Sequence, residues 1–244
     1  RVQVAVMLQP GSNPQTYEPT PKQMAALARS EVYFRIGVPF EQRWMHRMRS
    51  ANPRMEVVDL HRVKTPVHEA EQPHHTGSDA EHGAQDFHIW TNPRRVVSMA
   101  ARIRDALARL DPAGAPEYKA RYQAFAAELR ALDSEIRSLL SGLSKRCFVV
   151  FHPAWGHFAK AYDLQQIAIE SEGKAPRAAA LGRLIERAKR QNIHTIFVQR
   201  QFSTAPALAV ARAIDAKIIR VDPLAEDYAA SLRHLARSLR EASQ

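Results

Sequence analysis

The sequence predicts an α/β protein of two lobes, each a parallel sheet flanked by helices, joined by one long helix. Short β-branched runs alternate with longer amphipathic runs, which is typical of parallel sheets covered by helices. One amphipathic segment is much longer than the rest, and three strand candidates precede it while four follow it. A single large sheet with one long crossover helix is the alternative organisation.

The individual elements follow from these two kinds of run. Strands are predicted at 2–8, 31–36, 55–60, 147–152, 165–169, 195–199 and 216–221, where β-branched residues cluster. Helices are predicted between them, at 21–29, 40–51, 94–110, 116–141, 154–161, 177–191, 204–214 and 225–241.

The long segment carries a stripe of apolar side chains that step by four and three residues. That spacing places them on one side of a helix, and about 26 residues give a length of about 39 Å. The stripe consists of Tyr118, Tyr122, Phe125, Leu129, Leu132, Ile136 and Leu139. We therefore expect an N-terminal lobe at 1–112, a linking helix at 113–143 and a C-terminal lobe at 144–244.

Residues 65–85 interrupt the alternation with His, Glu, Asp, Gly, Pro and Ser and almost no apolar side chain. Such a segment buries too little surface to order itself, so we predict a mobile loop. Its histidines, a compositional sign of metal binding, are His68, His74, His75 and His82. A plain solvated loop or a cloning scar is the alternative interpretation.

Composition excludes several classes of protein. The longest apolar runs are too short to span a membrane. The single cysteine, Cys147, can form neither an internal disulfide nor a thiolate metal cluster. The net charge of +10 permits nucleic-acid binding, but the basic residues are spread along helices among acids, so we interpret them as solvated helix faces.

Polar side chains follow two strands of the predicted C-terminal sheet. His152 comes after Phe148–Phe151 and Asp222 after Ile218–Val221, the position where α/β sheets bind ligands. His88 lies between the acidic loop and the next helix. Each has an ordinary alternative, a packed histidine or an aspartate turn before proline. Together they are two imidazoles and a carboxylate, a donor set that suits Zn²⁺ or Mn²⁺.

Several ordered motifs resemble those of the zinc/manganese-binding solute-binding proteins of bacterial metal ABC importers, the cluster A-I group of ZnuA- and TroA-like proteins. The first is Pro10–Pro21, the second Asp86–Pro93 and the third Phe151–Lys160. Glu170–Lys174, Gln201–Ser203 and Val221–Leu224 follow in the family's order. The resemblance covers the chain from near Arg1 to near Tyr228.

The resemblance implies that a metal ion, Zn²⁺ first and Mn²⁺ second, is held in a cleft between two lobes joined by a rigid helix. By motif position its ligands are His88, His152 and Asp222. It also implies delivery to an ABC permease and a periplasmic or other extracytoplasmic location, with a lipid anchor in the full-length protein as an option. We expect a monomer without nucleic-acid partner or enzymatic activity.

This sequence departs from the family pattern in two places. Gln15 stands where the first motif normally has a ligand histidine, and its carbonyl oxygen is a weak zinc ligand. Gln15 binds weakly or through water, a loop histidine replaces it, or three protein ligands and water complete the site. The family also begins with a strand and a helix before 2–8, which we expect the first lobe to lack.

The sequence is compatible with three other functions. A degenerate adhesin-like or partner-binding relative with weakened metal binding is suggested by Gln15. A zinc hydrolase using an open coordination position would need a general base such as Glu18 or Glu172. A nucleic-acid-binding protein would rest on the charge alone.

Overall fold

The structure is a computed structural model that describes residues 2–9, 11–61, 86–170, 178–202 and 205–243. The described residues form two compact units, one within 1–89 and 93–131 and the other within 90–92 and 132–244. The predicted loop histidines His68, His74, His75 and His82 lie outside the described residues, as do Glu172 and Ser203. The predicted lobe boundaries stay a prediction.

The first unit contains a two-stranded parallel sheet and several helices. Strand β1 (Val32–Arg35) pairs with β2 (Glu56–Asp59), so that Val32 lies opposite Glu56. Its helices are α1 (Pro21–Leu27), α2 (Pro39–Ala51), α3 (Pro93–Leu110) and the first part of α4 (Ala115–Leu139). Helix α1 begins at a capping box, because the Thr20 side chain accepts from the backbone of Gln23.

The predicted strand at 2–8 is wrong. The run has no regular secondary structure, and the exposed fractions of Val2, Val4 and Val6 are 51%, 78% and 63%. A strand needs a neighbour to satisfy its backbone, and within the described residues the first unit's sheet contains β1 and β2 only. The end of the run 2–8 is bound by a side chain instead, since Gln23 Nε2 donates to the Met7 carbonyl at 2.6 Å.

The second unit is built on a four-stranded parallel sheet in the order β4-β3-β5-β6. These strands are β3 (Cys147–Val150), β4 (Gln165–Ala168), β5 (Thr195–Val198) and β6 (Lys217–Arg220). Successive strands are connected by α5 (Gly156–Ala161), α6 (Ala178–Arg190) and α7 (Ala205–Ala213), and α8 (Tyr228–Ala242) follows β6. The expectation of parallel sheets flanked by helices is confirmed.

Both faces of this sheet are covered, as the apolar character of its strands requires. Side chains alternate along a strand, so Phe148 and Val150 pack with the end of α4, α5 and α8. Val149 and Phe151 point to the other face and pack with α6 and α7. Parallel strands place all their carboxyl ends at one edge, which positions the residues described below.

Helix α4 spans 25 residues, close to the predicted 116–141. Its buried side includes Tyr118, Ala126, Leu129, Leu132, Ile136 and Leu140. The predicted stripe is wrong at Phe125, which is 41% exposed because Ala126 takes the inward position. Within the described ranges, no helix has the length and apolar character needed to cross a bilayer.

Candidate metal site

Polar side chains follow all four strands of the second unit's sheet. His152 comes after β3, Glu170 after β4, Gln199 and Gln201 after β5, and Asp222 after β6. Because the strands are parallel, these residues emerge at the same edge of the sheet, where open α/β folds bind ligands.

His152 is held by contacts from the two neighbouring strands. Its backbone N–H donates to Gln199 Oε1 at 3.2 Å, and Gln199 Nε2 donates back to the His152 carbonyl at 2.7 Å. The imidazole stacks on the ring of Phe202, with the ring centroids 4.5 Å apart. His152 is 5% exposed, so its ring is fixed in place by packing as well as by hydrogen bonds.

The ring nitrogen Nδ1 of His152 faces a carboxylate. It lies 3.1 Å from Glu170 Oε2 and 3.3 Å from Oε1, and Glu170 is 4% exposed. A carboxylate accepts and does not donate, so this contact favours a proton on Nδ1 and leaves the lone pair of the neutral ring on Nε2. The pair therefore has the carboxylate–histidine arrangement common behind metal ligands.

Asp222 is held by the turn that follows β6. Its Oδ1 accepts from the backbone N–H of Leu224 at 2.9 Å and from Gln201 Nε2 at 2.8 Å. Its carbonyl accepts from the Ser231 hydroxyl at 2.6 Å. The turn before Pro223 that the sequence suggested is thus present, and the carboxylate orientation is set by a side chain from β5's loop.

Trp90 contacts the same turn. Trp90 Nε1 donates to the Pro223 carbonyl at 2.8 Å, and the Tyr228 hydroxyl donates to the Trp90 carbonyl at 2.8 Å. Burial, together with the charge of Asp133, raises the pKa of Tyr228. Tyr228 therefore stays a neutral donor, and the turn carrying Asp222 is fixed from both sides.

The first unit contains the other two predicted site residues. His88 Nδ1 lies 2.8 Å from Asp86 Oδ1, and the same oxygen accepts from the His88 backbone N–H at 2.9 Å. Gln15 donates its backbone N–H to Asn13 Oδ1 at 2.9 Å, and its carbonyl accepts from the Arg43 guanidinium at 2.8 Å. Both backbone positions are fixed, and His88 has the same carboxylate arrangement as His152.

The structure thus brings histidines and carboxylates together in pairs. Within the residues that the structure describes, no three His, Cys, Asp or Glu side chains form a group that could hold a metal. The assignment of His88, His152, Asp222 and Gln15 as ligands therefore stays a prediction. The supporting residues that sequence reasoning gave no role are Asp86, Glu170, Gln199 and Gln201. Glu170 follows a strand end, the same signal that identified His152.

Comparison with known proteins relates the whole chain to metal-uptake proteins. A family model described as ZnuA, zinc-uptake complex component A, periplasmic, matches residues 1–242. A putative metal-binding protein of Treponema pallidum is 31% identical over 226 residues, covering 89% of this chain and 71% of that protein. The zinc-binding protein AdcA of Streptococcus pyogenes is 28% identical over 142 residues, which cover 56% of this chain but 27% of AdcA.

Solved structures of ZnuA are also similar to this chain over its whole length. A crystal structure of ZnuA is similar with a TM-score of 0.88 and 38% identity, over 100% of this chain and 91% of that chain. A zinc-bound ZnuA deletion mutant has a TM-score of 0.87 and 37% identity, over 100% and 90%. The laminin-binding protein Lmb of Streptococcus agalactiae has a TM-score of 0.79 at 22% identity, over 97% and 89%, which shows a shared fold alone.

Proposed function

The chain belongs to the ZnuA family of periplasmic zinc-uptake components, and from this we propose that His88, His152 and Asp222 bind its zinc cargo. Zinc is the transported ligand here and not a cofactor. Family membership makes the chain a zinc-binding solute-binding protein of a metal ABC uptake system, periplasmic and not an enzyme. Delivery to a membrane permease, as a monomer without nucleic-acid partner, is part of the proposal.

The observation that carries this proposal is the arrangement at the carboxyl edge of the second unit's sheet. His152 has its Nδ1 against Glu170, and Asp222 has one oxygen bound by Gln201 and Leu224. The first contact favours Nε2 as the metal-binding nitrogen of His152, and the second two use Oδ1 of Asp222. Neutral imidazole and a single carboxylate oxygen are ordinary zinc donors, so the residues present fit the ion.

His88 supports the same donor chemistry from the first unit. Its Nδ1 faces Asp86 Oδ1, so its lone pair is also on Nε2. Two imidazole nitrogens favour zinc, whereas replacing a family histidine by Gln15 shifts the donor set toward harder ions such as Mn²⁺. Manganese is therefore the second cargo in the proposal, and Gln15 is its weakest assigned ligand.

Two finer expectations remain predictions. One is that a loop histidine or a water completes the metal site in place of Gln15. The other is that the first lobe lacks the family's first strand and helix. An adhesin-like function remains the alternative suggested by Gln15, and no contact in the described residues favours it.

The test is zinc affinity measured by competition with a chromophoric chelator. The protein should carry alanine at His68, His74, His75 and His82, so that loop binding does not hide the effect. Losing a residue that only hydrogen-bonds to a metal ligand typically lowers metal affinity by about 10- to 100-fold. In that background His88→Ala, His152→Ala and Asp222→Ala should each lower zinc affinity by more than this.

Exposed histidines provide matched controls. His46→Ala and His194→Ala should leave zinc affinity unchanged, because both residues are exposed and neither is an assigned ligand. Circular dichroism establishes that each variant is folded. If tight binding survives all three ligand substitutions, the assigned site is wrong.

A further inference from the structure

One carboxylate oxygen of Asp222, Oδ1, accepts two hydrogen bonds from other groups of the protein. A carboxylate oxygen has about two lone-pair sites. Oδ1 accepts one hydrogen bond from Leu224 N–H at 2.9 Å and one from Gln201 Nε2 at 2.8 Å. Within the described residues, Oδ2 accepts no hydrogen bond. The two oxygens are therefore chemically distinct before any metal arrives.

The two donors to Oδ1 differ in origin. The N–H of Leu224 belongs to the turn after β6 and comes with the backbone conformation around Pro223. The amide of Gln201 is a side chain from the loop after β5, the neighbouring strand. Gln201 is therefore the donor that a substitution can remove without altering the turn.

We propose that Gln201 makes Asp222 a one-oxygen ligand and thereby favours zinc over manganese. The inference rests on the proposed function, since it takes Asp222 as a metal ligand. With Gln201 in place, a metal can bond Oδ1 only by displacing a hydrogen bond. Gln201 is a positioning residue, because it acts on the metal through Asp222.

The preference follows from coordination geometry. Zinc is usually four-coordinate and tetrahedral in proteins, so one oxygen from Asp222 is sufficient. Manganese prefers oxygen ligands in octahedral sites, and a carboxylate that binds through both oxygens supplies an additional one. Removing the Gln201 amide frees a lone pair on Oδ1. The additional oxygen ligand should strengthen the binding of octahedral Mn²⁺ more than that of tetrahedral Zn²⁺.

The experiment compares Zn²⁺ and Mn²⁺ affinities in the wild type, Gln201→Met and Gln165→Met. Methionine keeps the side-chain length of glutamine without its donor, and Gln165 is an exposed residue on β4 that serves as the matched control. Gln201→Met should narrow the preference for zinc over manganese by about tenfold or more, the size of effect expected for an outer partner. Gln165→Met should leave it unchanged.

The outcomes separate this inference from the proposed function. If Asp222→Ala abolishes tight zinc binding but Gln201→Met leaves the metal preference unchanged, the role of Gln201 is refuted and the metal site stands. If Asp222→Ala leaves zinc binding intact, Asp222 is no ligand, and both this inference and the assignment of Asp222 fail.

A measurement on the wild type tests the same inference if the Gln201 variant does not fold. Infrared difference spectra between zinc-loaded and metal-free protein, with Asp222→Asn as the subtraction, report how the carboxylate binds. A wide separation of its two stretching bands indicates one-oxygen binding and supports the inference. A narrow separation indicates that both oxygens bind zinc, and overturns it.

Discussion

His152 and Glu170 form a contact that is almost completely removed from solvent, with side chains 6% and 2% exposed. A buried carboxylate is costly unless it is paired and hydrogen-bonded, and the imidazole supplies that partner. In return the carboxylate fixes which nitrogen carries the proton and how the ring is turned. The proposed ligand His152 is therefore already oriented in the described structure.

The role of this contact gives a prediction at the residue scale. Glu170→Gln removes the charge that holds the Nδ1 proton of His152, so zinc affinity should fall by about 10- to 100-fold. Chelator competition measures the affinity, and nitrogen chemical shifts of the imidazole report the tautomer. Glu186→Gln, on the exposed side of α6, is the control. Unchanged affinity and an unchanged tautomer would refute the role of Glu170.

Sequence reasoning identified the residues that follow strands but not their partners. His152 and Asp222 stand out because a polar residue directly follows an apolar run. The contacts of His152 with Glu170 and of Asp222 with Gln201 depend on the spatial order β4-β3-β5-β6, which differs from the order in the chain. Single-sequence patterns do not determine that order, so these partners could not be assigned.

At the scale of single elements, the start of α2 depends on a buried carboxylate. Glu41, 4% exposed, accepts from the backbone N–H groups of Ile36, Gly37 and Val38. The Tyr33 hydroxyl donates to its other oxygen at 2.8 Å. The first turn of a helix has unsatisfied N–H groups, and Glu41 binds those that lead into it. Gly37 has a φ of +95°, a conformation that glycine adopts without strain.

Glu41→Ala tests this arrangement. The substitution leaves several buried N–H groups unsatisfied at about 1–3 kcal/mol each, so the free energy of unfolding should fall by roughly 3 kcal/mol or more. Urea denaturation followed by tryptophan fluorescence measures it. Glu31→Ala, at an exposed position before β1, should change the same quantity by about 0.5 kcal/mol or less. Similar effects at the two positions would contradict this account of α2.

Most elements could be predicted from periodicity, and the failures have physical reasons. Strands β1–β6 and helices α1–α8 lie within a few residues of the predicted ranges. The run 2–8 alternates like a strand, but pairing depends on a neighbour that the pattern itself does not reveal. In α4, Ala126 is buried and the neighbouring Phe125 is exposed, because spacing alone does not show which of two adjacent apolar residues faces the core.

Across the molecule, both units contain tyrosines that stay neutral, with Tyr162 buried and Tyr33 and Tyr228 partly buried. Burial, with the charge of Glu41, raises the pKa of Tyr33 in the first unit. Burial, with the charge of Asp133, raises the pKa of Tyr162 and of Tyr228 in the second. A raised pKa means that the unfolded chain releases the tyrosine proton first. The contribution of these tyrosines to the free energy of unfolding is therefore fully present below the ordinary tyrosine pKa of 10.0 and declines above it.

The expected result is a stability curve that falls in alkaline solution. Above about pH 10, each of these three tyrosines lowers the free energy of unfolding by up to about 1.4 kcal/mol per pH unit. Urea denaturation at pH 9 and pH 11 measures the decline. A variant with Tyr33→Phe, Tyr162→Phe and Tyr228→Phe should show a smaller decline than the wild type. An equal decline in both proteins would show that these tyrosines are not responsible.

We propose that His88, His152 and Asp222 all bind one zinc ion. Anomalous diffraction at the zinc absorption edge, from crystals of the zinc-loaded protein, tests it most directly. We expect one strong peak about 2.0–2.2 Å from Nε2 of both histidines and from Oδ2 of Asp222. A strong peak bound only by histidines of residues 65–85, with none beside His88, His152 and Asp222, would contradict it.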